Sequence, residues 1–317
     1  LARERFRGDP REWPRIEKSL RVVFRLCGTQ IRRWEDDPTR QRSAALAELA
    51  GRALLTQQGL GPQDIDLIVF AGVTREYLEP AVAMEVGARL GMTRVHGLDV
   101  TSACVGALEA IQVVAGLLQL HPHYRRALVV TADYTQPHIN LELESHDDVE
   151  AFAAGFTISD GASAWLVSDA PLPGGCGHLE AFASLSLPQH WELCQAHLDR
   201  GFVSRTREMF AQRRHLSGKI NALLGTLDWA LDDVDHFVLH QPSVALVHTV
   251  LRELGAPLDK HLTTHPLYAN SVTSSIALNL HELLRQRTVD HGAKLLLAGA
   301  AGGISIATMA LTWNSNE

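Results

Sequence analysis

The chain has 317 residues, and its 29 Lys and Arg against 36 Asp and Glu give a formal net charge of −7. A chain of this length exceeds the usual size of one simple domain, which predicts two domains or a duplicated fold. The acidic balance argues against a nucleic-acid-binding protein, and no uninterrupted apolar run reaches the roughly 18 residues of a membrane span.

The cysteines are few and irregularly spaced, and no CxxC pair occurs. This pattern argues against both a disulfide framework and a structural zinc site. The charged N-terminal segment also lacks the apolar core of a signal peptide. We therefore expect a reducing, cytoplasmic setting in which a free thiolate survives. The four cysteines are Cys27, Cys104, Cys176 and Cys194.

Short apolar runs rich in branched residues alternate with segments of helical pattern along the chain. Such alternation is typical of an α/β fold with buried strands. The predicted strands cover residues 66–73, 95–100, 125–134, 160–169, 235–242 and 293–300. Between about Pro171 and Leu216, Gly and Pro clusters interrupt this order, and we expect an insertion or cap there.

The two halves of the sequence resemble each other. The segment around Ile65 is echoed by the segment around Val234, 169 residues later. The segment around Ala127 is echoed by the one around Leu295, 168 residues later. Two nearly equal offsets predict an internal duplication. The expected halves are residues 1–172 and 173–317.

Cys104 lies where a predicted strand passes into a long apolar helix. The backbone N–H groups and the positive dipole end of that helix would face its sulfur. Such a position lowers the pKa of a thiol and raises the thiolate fraction at neutral pH. The small neighbours Ser102, Ala103 and Gly106 would let an acyl group approach. The alternative interpretation is a buried structural cysteine.

Three further segments place polar or glycine residues at the ends of predicted elements. His240, in "VLHQP", closes a buried strand, where open α/β sheets present ligand-binding groups; a buried core histidine is the alternative. Asn270, in "LYANSVTSS", precedes a helix start, and a cap or turn role is its alternative. The glycine turn "GAAGGIS", residues 299–305, lets backbone N–H groups approach a ligand closely; a plain tight turn is its alternative.

Other catalytic and cofactor motifs fit the sequence less well. A cysteine hydrolase of the α/β-hydrolase type needs a G-x-C-x-G elbow, but Ser102 stands where the first glycine belongs. His261 and His265 have the spacing of two zinc ligands, but Pro266 and the lack of an HExxH pattern argue against a metal site. The glycine turn has no second βαβ unit after it, which argues against dinucleotide binding.

Taken together, "DVTSACVGALEA", "HQP", "YANSVTSS" and "AGAAGGISIATMALTW", in this order and at these spacings, resemble the ketoacyl synthase III branch of the thiolase superfamily. The segment "DGASAW" is similar to the one ahead of that family's central boundary. The resemblance covers roughly residues 27–313. It implies an α/β fold that is a duplicated α/β/α/β/α five-layer sandwich, assembled as a homodimer or a close heterodimer.

The resemblance also implies roles for individual residues. Cys104 would be the nucleophile that takes an acyl group from a thioester. His240 and Asn270 would bind the thioester oxygen of the second substrate and stabilise its enolate. The N–H groups of Cys104 and Gly302 would form the oxyanion hole, with Gly303 supporting the turn. No metal or redox cofactor is implied, because CoA or carrier-protein phosphopantetheine enters as part of the substrate.

The sequence departs from the housekeeping members of that family at two places. Glu79, before Pro80, stands where an aromatic residue is usual, which resembles a sub-branch that joins two acyl chains or handles β-keto acyl groups in specialised metabolism. We expect Pro80 in the first turn of a helix and Glu79 as a general base in the active site of the other subunit. A solvated glutamate at a helix start is the alternative. Leu267 and Tyr268 replace a basic residue and a histidine, which argues against carrier-protein docking of the housekeeping kind.

We therefore expect an acyltransferase that condenses the acyl group on Cys104 with a second acyl thioester, in fatty-acid-derived or polyketide metabolism. One alternative passes the acyl group to an alcohol or an amine without forming a C–C bond. Another is a catalytically silent subunit of a heterodimer, which the joint presence of Cys104, His240 and Asn270 disfavours.

Overall fold

The computed structural model describes residues 2–198 and 201–315, and helices and strands alternate over most of them. The helices are α1 (Ala2–Arg5), α2 (Trp13–Cys27), α3 (Ser43–Gln57), α4 (Val82–Leu90), α5 (Gly106–Leu120), α6 (Asp147–Phe152), α7 (Thr206–Ala211), α8 (Arg213–Thr226), α9 (Val244–Leu254), α10 (His265–Tyr268) and α11 (Ser275–Gln286). The strands are β1 (Leu67–Ala71), β2 (His96–Val100), β3 (Arg126–Asp133), β4 (Gly161–Ser168), β5 (Cys176–Ser186), β6 (Cys194–His197), β7 (Gly201–Ser204), β8 (His236–Leu239), β9 (Lys294–Ala301) and β10 (Ser305–Asn314).

The first four strands form one sheet in the order β2-β1-β3-β4. The central strand β1 is parallel to both β2 and β3, whereas β4 is antiparallel to β3. All five residues of β1 are buried, because helices cover both faces of the sheet. Because both faces of β1 are buried, every position in it is apolar, and this continuous run predicted the strand.

A second sheet has the order β5-β10-β9-β8 and repeats the plan of the first. In it β8 is parallel to β9, and β10 is antiparallel to β9. Leu67 pairs with Ala127 in the first sheet, and His236 pairs with Leu295 in the second. The same register therefore recurs after nearly the same number of residues, which confirms the predicted duplication.

The two sheets and their helices form five layers. The pair α3 and α4 packs on the outer face of the first sheet, with Ala47 and Val86 in that core. The pair α5 and α11 lies between the sheets, and Val114 and Leu280 are buried there. The pair α8 and α9 covers the outer face of the second sheet. This α/β/α/β/α sandwich confirms the expected fold class.

The segment Ala103–Leu120 is long and apolar enough to cross a membrane by length and composition alone. It contains Glu109 and so is not an uninterrupted apolar run. In the fold this segment is α5 with the short 3-10 helix before it. Val105 and Leu108 are fully buried in the core between the two sheets, and the segment serves as a central helix of the sandwich.

The stretch expected as a cap, about residues 171–216, is divided in the structure. Residues 176–186 form β5, which pairs with β10 inside the second sheet. The 3-10 helix Pro188–Leu193, the hairpin of β6 and β7, and α7 follow. The sequence did not predict β5 because a Gly and Pro cluster precedes Cys176. The residues of β5 also differ in exposure, so they lack the pattern of a buried strand. The change from one sheet to the other falls between Ser168 and Cys176, a stretch that contains the expected boundary.

Candidate active site

Cys104 lies in a short 3-10 helix, Ala103–Val105, between β2 and α5. Ala103 has a left-handed backbone with φ 45°, so the chain turns sharply immediately before the thiol. Gly106 lets the facing Thr273 approach, since a Cβ at that glycine would be 3.4 Å from Thr273 Cγ2. The resulting turn holds a half-buried cysteine on the wall of a cavity of about 1090 Å³.

Burial raises the pKa of the Cys104 thiol above its ordinary value, and negative charge on Cys194 and Asp133 raises it further. The lowering that the helix N-terminus predicted is therefore not the dominant effect. The physical reason is that desolvation of a buried thiolate outweighs the attraction of nearby backbone N–H groups. These effects favour the protonated form of the Cys104 thiol at neutral pH.

His240 directly follows β8 and is 5% exposed. Its Nδ1 lies 2.7 Å from Ser275 Oγ, and the same hydroxyl oxygen accepts a hydrogen bond from Gln241 N at 2.9 Å. Burial, and then the nearby His265, lower the pKa of His240 to about 3. The ring is therefore neutral near pH 7, and one nitrogen is anchored while the imidazole lines the cavity.

Asn270 is fixed by its backbone and by its side chain. Its N–H donates to Thr157 O at 2.9 Å, and its carbonyl accepts from Ser159 N at 2.9 Å. The side-chain Oδ1 accepts from Val272 N at 3.0 Å, which is the turn role considered as an alternative. This contact occupies the amide oxygen, so the NH2 group is the donor that the side chain brings to the cavity wall.

Gly299 in β9 allows the two parts of the site to approach each other. A Cβ at this position would lie 3.0 Å from His240 Cβ and 3.0 Å from Val105 Cγ1. Both neighbours are close to the backbone and cannot move away easily. Gly302 and Gly303 follow in the turn between β9 and β10, and Gly303 has φ 120°, a conformation that favours glycine.

One cavity of about 1090 Å³ brings Cys104, His240 and Asn270 together. Its volume is slightly above the roughly 300–1,000 Å³ typical of small-molecule sites. The lining is mostly apolar and includes residues of α2, α6, α7 and α9. Gly302 and Gly303 also line the cavity. The structure therefore gathers five of the six predicted site residues around one apolar space.

Glu79 is the predicted residue that the structure leaves apart. It is exposed, and it is not among the described residues that line the cavity of the same chain. Pro80 does not lie in the first turn of a helix as predicted, because α4 begins at Val82 and the Glu79–Pro80 peptide is cis. The neighbouring Leu78 is 82% exposed. Any role for Glu79 in catalysis must therefore be in a cavity other than that of its own chain.

Gln241 is a site residue that the sequence analysis did not single out, although it stands in the "HQP" motif. Its side-chain NH2 donates to Leu239 O at 3.1 Å and lies 3.0 Å from His261 Nε2. Its backbone carbonyl oxygen is 2.8 Å from His265 Nδ1. These contacts tie the end of β8 to the segment before α11, and they hold His240 at its place.

The spacing of His261 and His265 serves this network. His261 Nδ1 lies 2.8 Å from Phe237 O, and His265 Nε2 lies 2.6 Å from Thr29 Oγ1. Burial lowers the pKa of both rings, that of His261 to about 4. Within residues 2–198 and 201–315, no three His, Cys, Asp or Glu side chains form a group that could hold a metal ion.

Two further residues near Cys104 carry no sequence signal of their own. Cys194, in β6, lines the cavity, and its Sγ would lie 3.4 Å from a Cβ added to Gly302. Asp133 closes β3 and is fully buried. Neither belongs to a motif, and only folding brings them to the thiol.

Two family models match the chain. Residues 98–182 match 3-oxoacyl-[acyl-carrier-protein] synthase III, and residues 224–313 match the C-terminal part of the same enzyme. Together these matches cover more than half of the chain. The beta-ketoacyl-[acyl-carrier-protein] synthase III of Staphylococcus aureus is 25% identical over 300 residues, which are 94% of this chain and 91% of that protein.

Solved structures agree with this fold. Xanthomonas campestris OleA with bound lauric acid and lauroyl-CoA superposes with a TM-score of 0.84 at 22% identity, covering 94% of this chain and 93% of OleA. The 3-oxoacyl-[acyl-carrier-protein] synthase III of Aquifex aeolicus gives a TM-score of 0.83 at 22% identity, with 94% and 93% covered. The chain therefore belongs to the ketoacyl synthase III-like condensing enzymes of the thiolase superfamily and is an acyltransferase of that family.

Proposed function

We propose that the protein forms an acyl-enzyme on Cys104 and condenses it with a second acyl thioester in a Claisen reaction. The observation that carries this proposal is the meeting of Cys104, His240 and Asn270 on the wall of one apolar cavity. A thiol supplies the covalent acyl carrier. The other two side chains supply neutral hydrogen-bond donors, which an enolate oxygen needs.

In the first half-reaction, the sulfur of Cys104 attacks the carbonyl carbon of an acyl thioester. Burial raises the pKa of the thiol and favours its protonated form, and its proton passes to the departing sulfur as the new C–S bond forms and the old one breaks. The backbone N–H groups of Cys104 and Gly302 would stabilise the tetrahedral oxyanion. The departing thiol is CoA or a carrier-protein phosphopantetheine, and the acyl group stays on Cys104.

In the second half-reaction, His240 and Asn270 bind the carbonyl oxygen of the other thioester while its α-carbon loses a proton, or CO2 in a malonyl thioester, and becomes the nucleophile. The new C–C bond forms at the carbonyl carbon of the acyl-enzyme, the C–S bond to Cys104 breaks, and the sulfur leaves as a thiolate that takes up a proton. The low pKa of His240, about 3, keeps its ring neutral. A hydroxyl proton donated by Ser275 to Nδ1, across 2.7 Å, leaves the ring proton on Nε2. That N–H and the Asn270 NH2 group then point donors at one oxygen, where charge builds up as the enolate forms.

We propose further that the chain acts as a homodimer, or with a related subunit, and that Glu79 serves in the cavity of the partner. Its exposure, and that of Leu78, fit a loop that a second copy covers. A carboxylate in that cavity can accept the α-proton of the second acyl thioester. The alternative is a glutamate that stays solvated at the surface.

The substrate class we propose is a pair of fatty acyl or polyketide thioesters, with no metal or redox cofactor. The size and apolar lining of the cavity support a long acyl chain. OleA, which shares the fold, is known with lauric acid and lauroyl-CoA bound. All four cysteines are free, which supports a reducing, cytoplasmic setting.

Intact-mass spectrometry after incubation with a panel of acyl-CoAs tests the acyl-enzyme. The wild type should gain the mass of one acyl group, mapped to Cys104, and Cys104→Ala should gain none. Cys176→Ser is the matched control, because Cys176 lies in β5 and outside the cavity lining. Acylation of Cys104→Ala at the wild-type rate would falsify the assignment. Product analysis then separates the alternatives, since a new C–C bond shows condensation and an O- or N-acyl product shows transfer to an alcohol or an amine.

A further inference from the structure

Asp133 is a fully buried carboxylate that none of the steps above uses. It closes β3 and is 0% exposed. Its Oδ1 accepts hydrogen bonds from Val73 N at 2.7 Å and Thr74 N at 3.0 Å. Its Oδ2 accepts from Thr273 N at 3.1 Å. Burying a carboxylate is costly unless its oxygens are hydrogen-bonded. The hydrogen bonds of Asp133 therefore fix the segments that donate them.

The three donors come from both halves of the duplicated fold. Val73 and Thr74 directly follow β1 of the first sheet, whereas Thr273 lies in the 3-10 helix Val272–Ser274 that precedes α11. One carboxylate therefore holds a loop of the first half to a helix start of the second half. The cavity wall includes Asp133 itself.

Thr273 continues this link to the turn that carries Cys104. Its hydroxyl donates to Ala103 O at 3.5 Å. Its Cγ2 would be 3.4 Å from a Cβ added to Gly106. The residues on both sides of Cys104 thus pack against the residue that Asp133 holds.

We propose that Asp133 is a positioning residue for Cys104, which it holds in place through Thr273. This inference rests on the proposed function, because it assigns Asp133 to the same nucleophile. The position has an opposing electrostatic effect. Burial raises the pKa of the Asp133 carboxyl and its N–H donors lower it, and in its charged form Asp133 adds to burial and to Cys194 in raising the pKa of the thiol. The neutral His240 is the remaining titratable side chain of the predicted site on this cavity wall.

Replacing Asp133 by Asn separates position from charge. The single amide oxygen of Asn can accept from the loop after β1 or from Thr273, and its NH2 group would then face the other N–H donor. We expect acylation of Cys104 at saturating acyl-CoA to slow by about 10-fold to 100-fold, the range that a small misplacement of a reacting group produces. Loss of the charge should at the same time shift the pH dependence of Cys104 reactivity to lower pH.

Asp66→Asn is the matched control. Asp66 Oδ2 accepts from Arg125 N at 2.7 Å and Arg126 N at 3.0 Å, at the opposite end of the same strand β3. If the loss of acylation reflects only a weakened strand end, Asp66→Asn and Asp133→Asn should lose acylation equally. Urea unfolding measures how far each change weakens the fold. Thr273→Val is a second variant that keeps the backbone N–H to Asp133 but removes the hydroxyl. It should slow acylation without moving the pH dependence.

Alkylation of Cys104 by iodoacetamide from pH 6 to 10, followed by peptide mapping, gives a readout that does not need an acyl substrate. The thiolate displaces iodide and forms a carbamidomethyl thioether, so the rate follows deprotonation of Cys104. An unchanged pH profile in Asp133→Asn, or equal slowing of acylation in Asp66→Asn, overturns the inference. If the wild type accepts no acyl group while the profile of Asp133→Asn still shifts, the proposed function fails and the link from Asp133 to Cys104 stands. If Asp133→Asn does not fold, unchanged acylation in Thr273→Val overturns the inference.

Discussion

Ala103 and Val272 share a left-handed backbone, with φ angles of 45° and 48°, and they lie 169 residues apart in the chain. Each begins a 3-10 helix that leads into a central helix, α5 or α11. A left-handed φ is unfavourable for a residue with a Cβ and is a true outlier for a β-branched valine. Such strain persists where the surrounding structure fixes it, often at functional sites. The duplication placed the same turn in both halves, and Cys104 follows it in the first half where Thr273 follows it in the second.

The roles proposed for Cys104, His240 and Asn270 predict different effects on the two half-reactions. His240→Ala and Asn270→Ala should still form the acyl-enzyme, because neither side chain carries the acyl group. Formation of condensed product should fall by about 100-fold or more, as expected when a donor to a developing oxyanion is removed. Burst acylation and product formation are measured separately by mass spectrometry. His248→Ala, on α9, is the control, and an equal loss of both half-reactions in His240→Ala would indicate structural damage instead.

Gly299 predicts a second effect, on packing between the halves. Gly299→Ala should destabilise the protein by about 1–3 kcal/mol, because its methyl group would lie 3.0 Å from both His240 Cβ and Val105 Cγ1. Condensation should fall as His240 is displaced. Gly116→Ala is the matched control in α5, since nothing lies within 4 Å of its added Cβ. That change should raise stability by about 0.5–1 kcal/mol. Urea unfolding that ranks the two variants in the opposite order would contradict the geometry.

Much of the fold could be predicted from the sequence because its strands are buried on both faces. The run that forms β1 needs no long-range information, since all five residues are apolar and buried. The strand β5 could not be predicted in the same way, because its residues are mostly half-buried or exposed and follow a Gly and Pro cluster. A local sequence pattern predicts a buried strand only where all residues of the strand are buried.

The site was predictable in its motifs but not in the contacts that hold them. The bond between His240 and Ser275 joins residues 35 apart, and the one between Asp133 and Thr273 joins residues 140 apart. No local pattern reports such pairs. The pKa direction of Cys104 was wrong for the same reason, because the desolvation that raises it comes from the whole fold. The position of Cys104 at a helix start, taken alone, predicted a lowered pKa.

The buried histidines predict how stability depends on pH. Burial lowers the pKa of His240 to about 3 and that of His261 to about 4, whereas an unfolded histidine titrates near 6.5. Below that pH the unfolded chain binds protons that the folded chain does not, so stability falls as pH decreases. Each such histidine contributes about 1.4 kcal/mol per pH unit, and the two together about 2.7 kcal/mol per unit between about pH 6 and 5. Urea unfolding at several pH values measures this slope, and His261→Gln should reduce it by up to about 1.4 kcal/mol per pH unit. A flat profile from pH 7 to 5 would show that these rings are protonated in the folded state.

The last prediction concerns Glu79, which the structure places on the surface next to an 82% exposed Leu78. If Glu79 acts in the cavity of the partner, Glu79→Gln should leave acylation of Cys104 nearly intact and should block condensation of substrates that lack a malonyl group. A malonyl thioester loses CO2 to form its enolate and needs no base, so it should still react. Mixing Glu79→Gln with Cys104→Ala, each inactive alone on substrates that lack a malonyl group, should restore part of that activity, because one of the two cavities in a mixed dimer receives both wild-type groups. Random reassortment would give about half of the dimers this composition, each with one complete cavity of two, so recovery approaches one quarter of the wild-type rate. Mixed dimers are identified by native mass spectrometry after exchange, and Glu76→Gln, three residues away in the same loop, is the matched control for that substitution. If mixed dimers form and no activity returns, Glu79 is a solvated surface glutamate and not a base supplied by the partner.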